Sequence, residues 1–520
     1  MTFDEQAATM DRKEIVALLV ANQQLVARNE ELSRQVEWFK QQLFGSKSER
    51  RAIDPEGRQL WLGEAQGERR PTAEPAVTVA EHQRRRRRTP EEEPDEGELR
   101  FDESVPVEEI RLEPPATGVD DSAVVISEKV TYRLAQRPGV YVVLKYIRPV
   151  VKRADGTLAS AAAPASVLGK SLADVSLLAN MAIDKFRYHL PLYRQHQRME
   201  VAGIHLARST LTELILRCGN LLEPIYHAQL ASILKSSVLT MDETPIKAGR
   251  TERHSMKTAY FWPVYGDRHE IAFPFSPTRE ASVVRKVLGE YCGVLLSDGY
   301  KAYESYAAEI KRLVHAQCWG HTRRGFVKAE SVEPALVETA LDIIRRLYEK
   351  EAALKRMVVS DDKKIEQRAT HCKPLVDEFF EWLKSTLAER ILLPSNPFTE
   401  AANYALARET GLRVFLEYPN VPVDTNHLER EIRVIALGRK NWLFCWTEVG
   451  AKCVGIFQSL LSTCRLQGVD PYVYLVDVLQ RVETHPASNV ELLTPRLWKE
   501  HFAGDPLRSD LDRLVKNAES

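Results

Sequence analysis

At 520 residues the chain is too long for one hydrophobic core, so it predicts three or more modules. Its 44% hydrophobic and 28% charged residues carry a net charge of −1, so affinity for any polyanion must come from local basic patches. No apolar run reaches membrane-spanning length and no charged-then-apolar leader follows Met1, which predicts a cytoplasmic protein with no membrane partner.

Residues 11–45 carry a heptad. Ile15, Asn22, Asn29, Val36 and Leu43 form one row, and Leu18, Leu25, Leu32 and Phe39 form the other. Asn at two such positions favours a parallel dimer in fixed register, so this segment is expected to make a homo-oligomer. One amphipathic helix packed on its own domain is the plainer alternative. Residues 46–106 turn Pro-, Glu- and Arg-rich and read as a disordered charged linker. Within it the arginine run Arg84–Arg88 either touches phosphates or pairs with the acids Glu91, Glu92 and Glu93 beside it.

Residues 107–160 predict a small β-rich module of short strands. Residues 165–232 predict two helices joined by a turn at Gly203, with Ser209 as N-cap of the second. That pattern suits a DNA-reading helix-turn-helix, with Arg208, Ser209 and Thr210 at the contact, although plain helical hairpins that bind nothing are commoner. From Ser236 the pattern becomes strands at 237–242, 258–266 and 269–275, then helices alternating with strands at 293–298 and 312–318. This describes a mixed α/β sheet within a multidomain α+β chain. Residues 329–394 read as purely helical, residues 395–448 return to the sheet domain of 236–328, and 449–520 form a C-terminal helical region. The seven cysteines all follow residue 217 and form no C-x-x-C pair, so reduced, mostly buried thiols are expected and structural zinc is not.

Two aspartates end apolar strands. Asp242 follows Val238-Leu239-Thr240-Met241, and Asp298 follows Gly293-Val294-Leu295-Leu296-Ser297. Each alone is an ordinary turn former. Two on neighbouring strands would repel unless a cation lies between them, and magnesium or manganese is the natural candidate. A third carboxylate from a helix would complete a phosphoryl-transfer site, with Asp424, Glu429 and Glu431 as candidates. Helical spacing groups Asn426, Glu429, Arg430 and Arg433 on one face and turns Glu431 away. An ordinary surface helix with charge pairs fits the same spacing.

The stretches MDETPIKAG, LLSDGYKAYESY, QCWGHTRRGFVKA and NHLEREIRVIALGRKNWLF, in this order, resemble transposases of the insertion-sequence sixty-six family. The resemblance extends to LPLYRQHQRMEVAGIHLARSTL and the N-terminal heptad. It implies a ribonuclease-H-like catalytic core interrupted by a helical insertion, with Asp242, Asp298 and Glu429 as an Asp-Asp-Glu triad. It further implies Mg2+, replaceable by Mn2+, held by those three residues. The expected activity is cleavage at transposon ends and strand transfer into target DNA. His321, Arg323, Arg324, Arg430, Arg433, Arg439, Lys440 and Trp442 are then expected along the DNA, and accessory proteins from the same element are possible partners. Family members often carry a cysteine-rich zinc segment before the helix-turn-helix; this chain has no cysteine there, so zinc is not inherited.

A catalytically inactive or domesticated DNA-binding relative is the alternative. A glycoside hydrolase using Asp242 and Glu429 leaves the arginine-rich motifs unexplained. Between the adjacent acids, strand alternation sets Thr240 and Asp242 on one face and Met241 and Glu243 on the other. Asp242 is thus the expected catalytic residue and Glu243 its support.

Overall fold

The computed structural model describes residues 100–519 apart from 102, 104, 113–123, 138, 154–156, 170, 251–254, 358 and 391. The expected helix at 11–45 and nearly all of the 46–106 linker lie outside the described residues. The architecture is mixed α+β, with helices and several sheets interleaved.

Strands β1 (Arg100–Phe101), β2 (Val107–Arg111), β3 (Val124–Arg137), β4 (Val140–Lys152) and β5 (Leu158–Ser160) open the chain. The strands here are longer than the short ones expected: β3 and β4 pair antiparallel along nearly their whole length, turning at Gly139 with φ 86°. β2 adds to β4 in parallel and β5 in antiparallel fashion. Alternation explains the burial. Val142, Leu144 and Tyr146 face a small apolar cluster that includes Leu511 from the far end of the chain. The Tyr146 hydroxyl donates to Asp510 at 2.8 Å.

Helices α1 (Val175–Phe186) and α2 (Leu192–Val201), strand β6 (Ile204–His205) and helix α3 (Arg208–Ile233) follow. The turn at Gly203 is present, with φ 79°. A two-residue strand follows it, because Ile204 and His205 pair with β1. Ser209 does not cap α3. Ala207 holds the cap position in extended backbone with no side-chain acceptor, and the helix begins at Arg208, leaving Ser209 in the first turn. The 26-residue α3 buries Leu211, Leu214, Cys218, Leu222, Ile225 and Ile233 along one stripe, which seats it in the main core.

The central sheet uses β7 (Val238–Met241), β10 (Val264–Gly266), β11 (Glu270–Ala272), β13 (Val294–Ser297) and β14 (Val314–Gln317), in the order β11-β10-β7-β13-β14. β7, β13 and β14 run parallel, β10 pairs antiparallel with β7, and β11 pairs antiparallel with β10. The expected strand 258–266 breaks at Trp262-Pro263, and its two halves join different sheets. β9 (Met256–Phe261) lies between β8 (Thr244–Arg250) and β12 (Phe275–Ser276) in a separate three-stranded sheet. β8 contains Pro245 and was not legible as a strand. It lies at that sheet's edge, where a residue without an N–H is tolerated.

Helices cover both faces of the central sheet. α4 (Ala281–Leu288) precedes β13, and α5 (Lys301–Glu309) bridges β13 and β14. Leu239, Met241 and Leu295 point into a large core shared with α3, α12 (Asn426–Trp442) and α13 (Glu448–Gln467). Val238, Leu296 and Ala316 point the other way, into a second core. That core is built by α6 (Trp319–Ala329), α7 (Pro334–Arg356), α9 (Lys373–Glu389), α10 (Pro397–Leu406) and the short α11 (Glu409–Arg413), with α8 (Asp361–His371) between α7 and α9. Continuous apolar strands such as β7 and β13 are what a sheet buried on both faces requires. Gln229 of α3 ties the first core together, donating to the Ile271 and Ser459 carbonyls at 2.6 and 3.1 Å and to Thr463 at 2.9 Å. The remaining helices, α14 (Pro471–Arg481), α15 (Pro495–His501) and α16 (Asp510–Glu519), close the C-terminal region. No helix among the described residues is long and apolar enough to cross a membrane.

Candidate active site

β7 and β13 are hydrogen-bonded parallel neighbours, with Thr240 paired to Leu296. The register continued by two residues sets Asp242 level with Asp298 at the carboxyl end of the sheet. Both aspartates turn the chain as they leave it. Asp242 accepts the Glu243 amide at 2.7 Å, and Asp298 accepts the Tyr300 amide at 2.9 Å as α5 begins. Burial, then the neighbouring Asp298 charge, pushes the Asp242 carboxyl up to about 7, and Glu243 and Glu429 act in the same direction. Gly299 has no room for a Cβ: the Tyr404 hydroxyl and the Arg408 guanidinium already occupy that space.

Glu429 arrives on the first turn of α12. Its carboxylate is paired with Arg324 of α6 and accepts the Thr425 hydroxyl at 3.4 Å. Thr425 precedes α12, and its amide donates to the buried Cys318 sulfur at 3.3 Å. Cys318 is the residue before α6. The thiol therefore fastens the start of one helix to the start of the other. Burial holds this thiol above its usual range, which suits a structural rather than a reactive group.

The two other helix-region acids are engaged elsewhere. Asp424 accepts the Asn426 amide at 3.0 Å, and Glu431 is buried against Arg465. Glu243 is buried beside Asp242 but bonded away from it, accepting Arg279 Nε and the Tyr303 hydroxyl, each at 2.9 Å. Arg279 and Tyr303 were not legible as site residues, since nothing in their spacing marks them.

His321 and Arg324 share α6 and converge on the carboxylates. Burial and then Arg324 lower the His321 pKa, while Asp298 and Glu429 oppose that shift. Arg323 is exposed beside them. On α12, Arg430, Arg433 and Lys440 are exposed, and Arg439 donates to the Pro245 carbonyl. Trp442 folds back on its own helix: its ring lies 2.7 Å from where a Gly438 Cβ would stand. Arg208 and Ser209 are exposed at the start of α3, away from this cluster in the chain, with Arg208 over the Tyr193 ring at 5.0 Å. His427 was missed as a site residue. Its Nε2 lies 3.0 Å from the Thr240 hydroxyl, two residues before Asp242, and burial pushes its pKa down to about 4.

Asp242, Asp298 and Glu429 offer only oxygen donors, the type that hard divalent cations take. In the arrangement seen, no three carboxylate, histidine or cysteine side chains among the described residues are gathered closely enough to hold an ion. Glu429 is turned to Arg324 instead.

The model of the family described as Transposase IS66 family matches residues 170–453. The IS66 C-terminal element matches residues 459–495, and the segment described as Transposase C of IS166 homeodomain matches residues 31–110. Two relatives come from Sinorhizobium fredii (strain NBRC 101917 / NGR234). The uncharacterized protein y4hP is 29% identical over 76% of each chain. The uncharacterized protein y4jD is 29% identical over 73% of this chain and 77% of its own length. The first match spans more than half of the chain and takes in every carboxylate of the cluster, so the chain belongs to the IS66 transposase family.

Proposed function

We propose that the chain is an active Asp-Asp-Glu transposase that cuts at transposon ends and joins the freed 3′-hydroxyl to target DNA. The observation that carries this reading is that Asp242 and Asp298 follow the ends of adjacent parallel strands, with the Asp298 and Glu429 charges felt at Asp242. A ribonuclease-H-like core is supported by the strand order, in which the first strand of the sheet is central, with two parallel strands on one side and, on the other, antiparallel β10 followed by β11 parallel to the central strand.

Asp242, Asp298 and Glu429 would hold Mg2+ or Mn2+. When bound, such an ion lowers the pKa of an attacking water or 3′-hydroxyl and stabilises the leaving oxygen. The chain's own residues do the rest. Arg279 and Tyr303 keep Glu243 out of the site, leaving Asp242 free to face Asp298. Cys318 and Thr425 set the angle at which α12 delivers Glu429. Arg323, Arg324, Arg430, Arg433, Arg439 and Lys440 would hold phosphates, and His321 would donate to the strand beside the carboxylates. Arg208, Ser209 and Thr210 would meet the element end, and the 11–45 heptad would pair two copies so that two ends come together.

The test uses linear DNA carrying the inverted repeats that flank the gene. With Mg2+ the wild-type chain should nick these ends and join them to a plasmid. Asp242→Asn, Asp298→Asn and Glu429→Gln should each lose about a hundredfold or more, and Glu243→Gln should retain activity. Full strand transfer by any of the three triad variants would overturn the proposal.

A further inference from the structure

A cleft of about 730 Å³ lies between the central sheet, α12 and helices α7 and α8. Its sheet wall carries Thr240 and Tyr265, and its helical wall carries Lys355 and Lys364. α12 contributes His427 and Arg430 at its base. The floor is aromatic and fixed. The Tyr265 and His427 rings meet edge to face with centroids 4.9 Å apart, and the Tyr265 hydroxyl bonds His269 at 2.8 Å. His427 is tied in turn to Thr240.

The charge around this floor is unbalanced. Lys355, Lys364 and Arg430 have no ion pair among the described residues, although other cations near the cleft do: Arg368 is paired with Glu351 at 2.8 Å. Two acids on the rim keep their charge, since their partners are neutral: Asp267 accepts from Ser237, and Asp424 accepts from Asn426. Cations still outnumber acids in the lining, and Lys355, Lys364 and Arg430 over an aromatic floor match the chemistry of a nucleotide, with phosphates for the cations and a base for the rings. The volume lies within the range that encloses one small molecule, and it is far too small for a duplex.

We propose that this cleft binds one unpaired nucleotide of a DNA strand. Lys355, Lys364 and Arg430 take the flanking phosphates, and the base lies on Tyr265 and His427. Arg430 follows Glu429 and Thr240 is two residues before Asp242, so the cleft is walled by the same strand and helix that carry two of the carboxylates. The inference rests on the transposase reading for the identity of the strand, but the binding itself does not.

The experiment measures binding of fluorescein-labelled octathymidylate and of a blunt duplex to the full-length chain, without divalent metal. A 2-aminopurine at the centre of the single strand reports base stacking. Lys355→Gln/Lys364→Gln should weaken single-strand binding about tenfold and lower the salt slope by about 1.4, with duplex affinity nearly unchanged. Ala352→Phe keeps the charge and fills the cleft from the exposed face of α7, and should abolish the 2-aminopurine quenching. Unchanged single-strand affinity in both variants would overturn the proposal. So would an equal loss on the duplex, which would mark a general basic surface. The assay needs no cleavage. Failure of the cleavage test therefore leaves the cleft standing, and failure here leaves cleavage standing.

Discussion

Arg324 of α6 and Glu429 of α12 form an ion pair between helices that are far apart in the chain. Both side chains are partly exposed, so the pair contributes little to stability. Its consequence is competition, since the carboxylate that completes the cluster already has a cationic partner. Under the proposed function, a DNA phosphate would draw Arg324 away and free Glu429.

Arg324→Gln should therefore raise the affinity of the DNA-free chain for Mn2+ by about two- to fivefold, the range an exposed pair represents. Titration calorimetry reads this directly. The same variant should lower the salt slope of duplex binding by about one unit, as one phosphate contact is lost. An unaltered Mn2+ affinity would mean that Glu429 is not restrained by Arg324.

Asp242 makes stability depend on pH. Its folded pKa of about 7 lies above the ordinary value of 3.8, so the native chain holds a proton that the unfolded chain releases. Stability from this group is intact below about pH 4 and is lost as pH rises towards 7, then stays level. Asp242→Asn has no such loss. In EDTA its Tm should match wild type near pH 4 and exceed it by several degrees above pH 7, as calorimetric scans at intervals of one pH unit would read. Added Mg2+ should narrow that gap by stabilising the wild-type chain alone.

Arg368 is fully buried and clamps the segment that leads into α12. It meets both oxygens of Glu351 at 2.8 Å and donates to the Tyr418 and Val421 carbonyls at 3.0 and 3.1 Å. Arg368→Met should cost about 3–5 kcal/mol in urea unfolding, because Glu351 loses its cation and the carbonyls of 415–421 lose a shared buried donor. Limited proteolysis should begin between residues 417 and 425.

Thiol chemistry gives a further check. Of the seven cysteines only Cys292 is exposed. Native protein should therefore react quickly with one equivalent of a thiol reagent, and with the rest only on unfolding. Cys318→Val strands the Thr425 amide and should cost about 1–3 kcal/mol, while Cys318→Ser should recover part of it.

The strand ends that carry Asp242 and Asp298 were legible because apolar runs buried on both faces are local and unbroken. α12 was legible because its charged and apolar positions repeat with the helical period, and the same period separated Glu429 from Glu431. β8 was not legible, since Pro245 reads as a breaker unless its strand is known to lie at an edge. Ser209 misled for a similar reason: Ala207 already adopted the extended cap backbone, so the helix began before the better capping side chain.

What the linear chain determined by itself was periodicity, and hence the existence of most elements and the acids at their ends. Only the tertiary structure decided how those acids are used. It set Asp242 level with Asp298 through a strand register, gave Glu243 to Arg279 and Tyr303, and joined Glu429 to Arg324. It also assembled Lys355, Lys364 and Arg430 around a floor contributed by β10 and α12. Such relationships depend on distance and burial between segments remote in sequence, and spacing along the chain encodes neither.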